Sequence, residues 1–318
     1  MFDPLSELIT EIKKVGFVNA HAHLDRAYTV SRQDFADSLV ESHLFEKWKL
    51  VDKIKRESSE EDYFNRIVFA CEEQRKKGVS HILSFIDIDD IVEHRAIDAA
   101  YAAKAEVAKF GIDLRLACQT LKGVADTKQR ALIEARMSFI DVIGGLPRVE
   151  DFDAHMDVLC GWGRDTGKSL HIHVDQMNDP SEIETELLAL KAMEYQLEGK
   201  VTAIHSISVA AHPRSYRKRV YSLARDAGLS FVACPTAWID HRRTDKQMPW
   251  HNAVTPVEEM VLHGLDVAIG SDNIHDIYKP YSNGCLETEL RVLLEATHFY
   301  DIKQLCKIAT TNGLKIIE

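Results

Sequence analysis

Residues 16–25 of this 318-residue chain, GFVNAHAHLD, decide its fold prediction. The segment is a short apolar run that ends in polar residues, which is typical of a buried parallel strand. Seven later segments repeat the pattern and therefore predict seven further strands. They are SHILSFIDID (residues 80–89), IDLRLACQT (112–120), SFIDVIGGLP (138–147), KSLHIHVDQ (168–176), VTAIHSISV (201–209), LSFVACPTAW (229–238) and LDVAIGSDN (265–273).

Helical segments separate nearly all of these runs; IDAAYAAKAEVAKFG (residues 97–111) is one example. A glycine precedes several strands, where a helix C-cap is expected. These glycines are Gly78, Gly111, Gly167, Gly228 and Gly264. Eight alternating strand–helix units favour an α/β fold of the (β/α)8 TIM-barrel type, as a single domain over residues 1–318. A doubly wound open sheet is the alternative, and the lack of a G-x-G-x-x-G after any strand weakens it.

Residues 31–77, between the first two predicted strands, are longer than an ordinary crossover. Two helical stretches are predicted there, at about residues 34–54 and 60–77. We expect the first to be a lid or flanking helix and the second to be the normal barrel helix.

Composition excludes several classes of protein. The net charge of −11 argues against general nucleic-acid binding and against an anionic membrane surface. Six cysteines without a C-x-x-C pair favour reduced thiols. The amino terminus lacks the apolar core of a signal peptide, and no apolar stretch approaches the roughly 18 residues of a membrane helix. We therefore expect a cytoplasmic protein.

Polar residues with metal-ligating chemistry follow four of the predicted strands. His21 and His23 share one face of the first strand, because side chains alternate along a strand. His173 ends the fifth strand, His205 the sixth and Asp272 the eighth. Active sites of TIM barrels lie at these carboxyl ends, and three histidines with one carboxylate suit a catalytic zinc or ferrous ion.

Each piece taken alone has an ordinary structural explanation. An H-x-H is often a surface or core pair, a single strand histidine such as His205 is more often structural, and Asp272 could cap the next helix. The combination at four strand ends favours the metal site. His171, two residues deeper than His173, is interpreted as a packed core histidine, and His81 as structural.

The arrangement resembles the amidohydrolase superfamily, and within it cytosine deaminase and its relatives. The resemblance runs from His21-x-His23-Leu24-Asp25 through LFEKWKLVDK (residues 44–53) to residues 270–273, GSDN, and 276–278, DIY. It implies that His21, His23, His173 and Asp272 bind one divalent metal ion, zinc or iron, with manganese as an alternative. His205 would face the attacking water and the substrate, and Asp272 would also be catalytic.

Two features bear on the number of metals and on assembly. The fourth strand has no lysine where some relatives carry a carbamylated bridge between two metals, so a single ion is expected. The small β-sandwich that usually frames the family's barrel is expected to be absent or reduced, which would leave surface open to solvent or to a second copy in a homo-oligomer.

The resemblance also implies a substrate wall, with two departures. Cytosine-type deaminases carry a glutamate where this chain has Gln176, and an amide cannot titrate. Their substrate-recognising glutamine corresponds to about Leu121, with Gln119 nearby but out of register. Free cytosine is therefore not expected as the substrate. Trp238, Asn273 and Tyr278 match substrate-contacting positions, although Trp238 and Tyr278 could equally be rim packing.

The sequence thus predicts a hydrolase of a non-peptide carbon–nitrogen bond in a small, cyclic nitrogen compound. One alternative is a phosphoesterase, since some of these also begin with H-x-H, but no Arg or Lys ends the relevant strands except nearby Arg26. Another is a non-catalytic metal-binding protein, motivated by Gln176.

Overall fold

A computed structural model describes residues 3–39, 42, 44–177, 179–239 and 254–318. It is an α/β fold in which all eight predicted apolar runs contain a strand, and every strand pairs in parallel with its neighbours. The strands are β1 (Phe17–Ala22), β2 (Val79–Asp87), β3 (Asp113–Gln119), β4 (Ile143–Gly145), β5 (Leu170–Val174), β6 (Val201–His205), β7 (Ser230–Ala233) and β8 (Val267–Ile269).

The strands form two hydrogen-bonded sheets, one of β1 to β3 and one of β4 to β8, each in chain order. Isolated parallel bridges link the two sheets at both seams. One joins Ala117 to Val142, and the other joins Ala22 to Asp272. Because all strands are parallel, their carboxyl ends lie on one side, and that is the side on which the polar residues meet.

Helices connect the strands, and several of them begin at a residue whose side chain caps the first turn. For example, Asp151 caps the helix that precedes β5, and Gly167 ends it in the left-handed conformation. The helices are α1 (Pro4–Val15), α2 (Arg32–Ala36), α3 (Leu44–Glu57), α4 (Glu60–Lys76), α5 (Arg95–Ala108), α6 (Thr127–Glu134), α7 (Phe152–Thr166), α8 (Glu184–Glu194), α9 (Arg214–Asp226), α10 (Val257–Leu262), α11 (Leu286–Thr297), α12 (Ile302–Ala309) and α13 (Thr311–Ile317).

The predicted helix over residues 34–54 is wrong as a single element. The structure has two helices there, α2 and α3. Helix α2 ends at the C-cap Asp37, and the following Ser38 has a φ of 55°, a left-handed conformation that cannot continue a helix. The second prediction, over residues 60–77, corresponds to α4.

The strands are buried on both faces. Along β2, Ile82 and Ile86 pack into the cluster shared with the helices, whereas Leu83 and Phe85 pack into a second cluster that also receives Val18 and Ile204. This two-sided burial explains why the strands appear in the sequence as continuous apolar runs. None of the helices in the described ranges combines the length and apolar character that crossing a bilayer requires.

Candidate metal centre and substrate pocket

Strands β1 and β8 bring two histidines and a carboxylate together. The bridge between Ala22 and Asp272 sets this approach, because it places Asp272 beside the residue between the two histidines. The Asp272 Oδ1 atom lies 3.3 Å from His23 Nε2 and 3.5 Å from His21 Nε2. All three side chains are buried or nearly so.

Strands β5 and β6 add His173 and His205 to the same space. The His173 ring centroid lies 4.7 Å from that of His21 and 5.5 Å from that of His205. Two overlapping triads could each hold an ion, since their ligand atoms lie within 4.8 Å of one another. They are His21, His23 and His173, and His21, His205 and Asp272.

The donor atoms fit a divalent cation. The Nδ1 of His173 donates to the carbonyl oxygen of Gly145 at 3.0 Å, so that Nε2 keeps its lone pair. Within the described residues, neither this Nε2 nor either ring nitrogen of His21 has a hydrogen-bond partner, although all are buried. Buried nitrogens without a partner are costly, and a bound ion would satisfy them.

Burial also sets the charge of these groups. It lowers the pKa of His21, His23 and His173 below the usual range, so the imidazoles are neutral, which is the form that binds metal. Burial alone would raise the pKa of Asp272. The contacts with His21 and His23 outweigh that effect and hold the pKa of Asp272 well below its usual range, so the carboxylate is charged.

Buried polar residues that the sequence interpretation missed form hydrogen bonds with Ser271, the residue before Asp272. The side-chain oxygen of Asn19, on β1, accepts from the backbone amide of Ser271 at 3.0 Å, and its amide donates to the Ser271 hydroxyl at 2.8 Å. The Nζ of Lys279 donates to the Ser271 carbonyl at 2.7 Å and lies 3.8 Å from Glu289. A polar Asn19 inside an apolar strand was the one sequence signal available.

A cavity of about 60 Å³ opens beside the histidines, enough for an ion and several water molecules. Four of the five residues predicted for the substrate wall line it, together with His23, His173, His205 and Asp272. The four are Leu121, Gln176, Asn273 and Tyr278. The fifth, Trp238, belongs to the 3-10 helix Pro235–Ile239, and its side chain lies outside the described residues.

The same cavity is lined by Gln119, Trp48 and Arg26, none of which the sequence prediction placed there. Gln119 is the last residue of β3, is 3% exposed, and has a side-chain oxygen without a hydrogen-bond partner in the described chain. The structure thus places Gln119 in the cavity wall together with Leu121, a place that the sequence interpretation did not assign to it. The pairing of Gln119 with Asp87 at the end of β2 brings it level with the site.

Arg26 and Asn273 are already engaged with neighbouring carboxylates. Arg26 donates to Asp87 at 3.2 Å, and its guanidinium lies 5.3 Å from the centre of the Tyr278 ring. The side-chain amide of Asn273 donates to Asp276. These contacts fix the wall opposite the histidines.

His171 is a buried, hydrogen-bonded histidine, as the sequence interpretation expected. Its Nε2 lies 3.0 Å from the carbonyl oxygen of Ile316, and burial lowers the pKa of His171 to about 3. The Nδ1 atom of His81, on β2, lies 2.9 Å from the hydroxyl oxygen of Ser80.

Comparison with known proteins decides the family. Residues 33–315 match the amidohydrolase family. The chain belongs to this family. The predicted resemblance to the amidohydrolase superfamily is thus confirmed, and the chain is an amidohydrolase enzyme.

Two curated relatives and one solved structure show how far the similarity extends. An uncharacterized protein of Haemophilus influenzae is 44% identical over 79% of this chain and 92% of its own. N-isopropylammelide isopropyl amidohydrolase of a Pseudomonas species is 23% identical over 95% of this chain and 74% of its own. The structure of 5-methylcytosine deaminase from Klebsiella pneumoniae is 27% identical, with a TM-score of 0.84, over 95% of this chain and 74% of that one.

Proposed function

We propose that this amidohydrolase cleaves a carbon–nitrogen bond, other than a peptide bond, in a small cyclic nitrogen compound with the help of one divalent metal ion. The observation that carries the proposal is the convergence of His21, His23, His173 and Asp272 beside a cavity lined by carboxamide and aromatic side chains. The family relatives, named as deaminases and amidohydrolases of ring compounds, support the same reaction class.

We also propose that the eight strands close into a (β/α)8 barrel, as a single domain over residues 1–318. The parallel bridges at both seams and the two-sided burial of the strands support closure. Helix α3 would then be the lid or flanking helix, since its Trp48 lines the cavity, and α4 the first barrel helix.

The proposed ion is zinc or iron, with manganese as the alternative, held by His21, His23, His173 and Asp272. Three imidazoles with one carboxylate favour these ions. Strand β4, with the sequence IGG, offers no lysine for a bridge to a second ion. When bound, the ion would polarise the substrate and make a water molecule acidic near neutral pH.

The chain's own residues would then transfer the protons, stabilise the developing charge and orient the substrate. Asp272 accepts a proton from the attacking water and passes it to the leaving nitrogen as the carbon–nitrogen bond breaks. His205 donates a hydrogen bond to the oxygen on which negative charge develops. Gln176 orients the substrate by donating and accepting hydrogen bonds. It does not transfer protons, because an amide cannot carry a proton between water and ring.

The substrate class follows from these roles. Gln176 disfavours free cytosine, whose deamination requires a titrating group at that position, and favours a lactam, a hydantoin-like ring or an exocyclic amide. Leu121 does not by itself disfavour cytosine, because Gln119 lines the same cavity and offers a carboxamide there. Gln119, Trp48, Asn273 and Tyr278 would contact a planar ring.

A substrate screen tests this function. Zinc-, iron- and manganese-loaded protein is incubated with pterins, pyrimidines including 5-methylcytosine, triazines including N-isopropylammelide, hydantoins and lactams, and release of ammonia or amine, or ring opening, is measured. We expect turnover of at least one compound that chelation abolishes and that Asp272→Asn lowers by about 10²-fold or more. Phosphate release from phosphoesters, or activity that survives chelation, would contradict the proposal.

A further inference from the structure

The segment that carries Gln176 is held by a reciprocal pair of carboxylates. One oxygen of Asp175 accepts from the backbone amide of Glu184 at 2.8 Å, and the other accepts from the amide of Thr185 at 3.0 Å. In return, a carboxylate oxygen of Glu184 accepts from the amide of Asp175 at 2.9 Å. We call the Asp175–Glu184 pair the clasp. It joins the end of β5 to the start of α8.

The clasp also reaches the end of β6. The carbonyl oxygen of Asp175 accepts from the amides of Ile207 at 2.8 Å and Ser208 at 3.1 Å. The hydroxyl of Thr185, next to Glu184, lies 3.0 Å from that of Ser206. The end of β5, the start of α8 and the segment after β6 thus meet at Asp175. Two candidate site residues, His173 and His205, lie on β5 and β6.

The backbone at this junction adopts conformations that need such support. The φ angles of Asp175, His205 and Ser206 are 50°, 75° and 49°, in the left-handed region that non-glycine residues rarely adopt. Backbone of this kind persists where surrounding contacts hold it in place, and it concentrates at functional sites.

The clasp brings a buried and a half-buried acidic group together, which is unfavourable. Asp175 is 1% exposed, and burial raises the pKa of Glu184 to about 7. Because both oxygens of Asp175 accept from amides of α8, its carboxylate is committed to that helix. Asp175 is therefore not placed to replace the proton shuttle that Gln176 cannot provide.

We propose that Asp175 and Glu184 are positioning residues, which lock the carboxyl ends of β5 and β6 so that His173, Gln176 and His205 converge on one space. The inference rests on the proposed metal-dependent function. Removal of the Glu184 carboxylate would release the Asp175 amide and let the end of β5 move relative to β6.

The test uses three variants of the full chain, and its readouts do not require a substrate. E184A removes the acceptor, E184Q keeps one, and E186A is the matched control, because Glu186 lies in the same first turn of α8 but pairs with Arg219. The zinc dissociation constant is measured by competition with a chromophoric chelator. The visible absorption spectrum of the cobalt-loaded protein reports coordination, and thermal unfolding reports stability.

We expect E184A to weaken zinc binding by about 10-fold or more and to change the cobalt spectrum, as is typical when the support of a ligand is lost. E184Q and E186A should resemble the wild type in both. If E184A lowers the unfolding temperature but leaves zinc affinity and spectrum unchanged, the clasp is merely structural and the inference is overturned.

Two further outcomes also test the inference: misfolding of E184A, and the absence of metal binding in the wild type. Should E184A not fold, T185V removes the Thr185 hydroxyl, which hydrogen-bonds the Asp175 carboxylate and lies 3.0 Å from the Ser206 hydroxyl. An unchanged cobalt spectrum in T185V would then refute the inference. A wild-type chain that binds none of zinc, cobalt, iron and manganese refutes the proposed function, and this inference with it. A wild type that binds any of these ions, with E184A indistinguishable from it in affinity and spectrum, refutes this inference alone.

Discussion

Under the proposed function, Gln176 is the residue that distinguishes this chain from a cytosine-type deaminase. Gln176 lines the cavity beside His173, at a place where a carboxyl group could move protons between water and a ring nitrogen. Its amide can form the same hydrogen bonds but cannot titrate. The chemistry available to the site is therefore set by Asp272, whose carboxylate contacts both His21 and His23.

Replacement of Gln176 by glutamate should restore the missing proton carrier. We expect Gln176→Glu to raise the rate of ammonia release from amino-substituted rings such as 5-methylcytosine by about 10² to 10⁴-fold, the range typical of general acid–base groups. Gln119→Glu, which adds a carboxyl group elsewhere in the same wall, should give no such gain. Equal behaviour of the two variants would contradict the role given to position 176.

Trp48 offers a second residue-level test. Its side chain reaches the cavity from α3, and stacking of a ring on an aromatic side chain contributes about 1–3 kcal/mol. We expect Trp48→Ala to raise KM for a ring substrate by roughly 10-fold or more, with a smaller change in kcat, and Trp48→Phe to retain most of the binding. A fall in kcat at unchanged KM would place Trp48 outside the binding wall.

The residues that could be predicted were those governed by local rules. His21 and His23 share a face because strand side chains alternate, and the strand ends at His173, His205 and Asp272 could be counted from the apolar runs. Gln119 could not be placed, because its depth depends on the pairing of β3 with β2, which is a tertiary contact.

At the scale of elements, helix α3 is fastened to the strands by buried charges. The Nζ of Lys55 lies 3.0 Å from Asp87 and 2.5 Å from Asp89, at the end of β2, and all three side chains are almost fully buried. Lys55 is seven residues, or two helical turns, after Trp48, so both project from the same side of α3. The ion pairs thereby hold the helix that carries Trp48 against the cavity.

Loss of the Lys55 charge should therefore destabilise the chain strongly. We expect Lys55→Met to lower the free energy of unfolding by about 3–5 kcal/mol in urea titrations, because buried Asp89 loses its ammonium partner and buried Asp87 keeps only the contact with Arg26 as a counter-charge. Lys49→Met, on the same helix, removes an exposed lysine that pairs with Glu46 and should leave the unfolding midpoint unchanged. Similar midpoints for both variants would show that Lys55 does not fasten α3.

The break between α2 and α3 shows what sequence patterns miss at this scale. No glycine or proline, the residues that commonly end a helix, lies between residues 32 and 57. The left-handed backbone of the exposed Ser38 ends α2 instead, and serine is not a residue type that favours this conformation. The eight strands were predictable because burial on both faces makes them apolar throughout.

At the scale of the whole molecule, residues that lie far apart in sequence meet only because eight parallel strands bring their carboxyl ends together. The bridge between Ala22 and Asp272 joins the first strand to the segment after the last, and places a carboxylate beside two histidines some 250 residues away. We therefore propose that four side chains, from β1, β5 and the segment after β8, share one ion.

Zinc stoichiometry combined with X-ray absorption spectroscopy tests this claim most directly. The account predicts one zinc per chain with three histidine nitrogens at about 2.0–2.1 Å and one carboxylate oxygen, and loss of the ion in His173→Ala but not in the control His171→Ala. A wild type that takes up no zinc, iron or manganese, an ion with sulfur ligands, or an ion that both variants retain equally would contradict it.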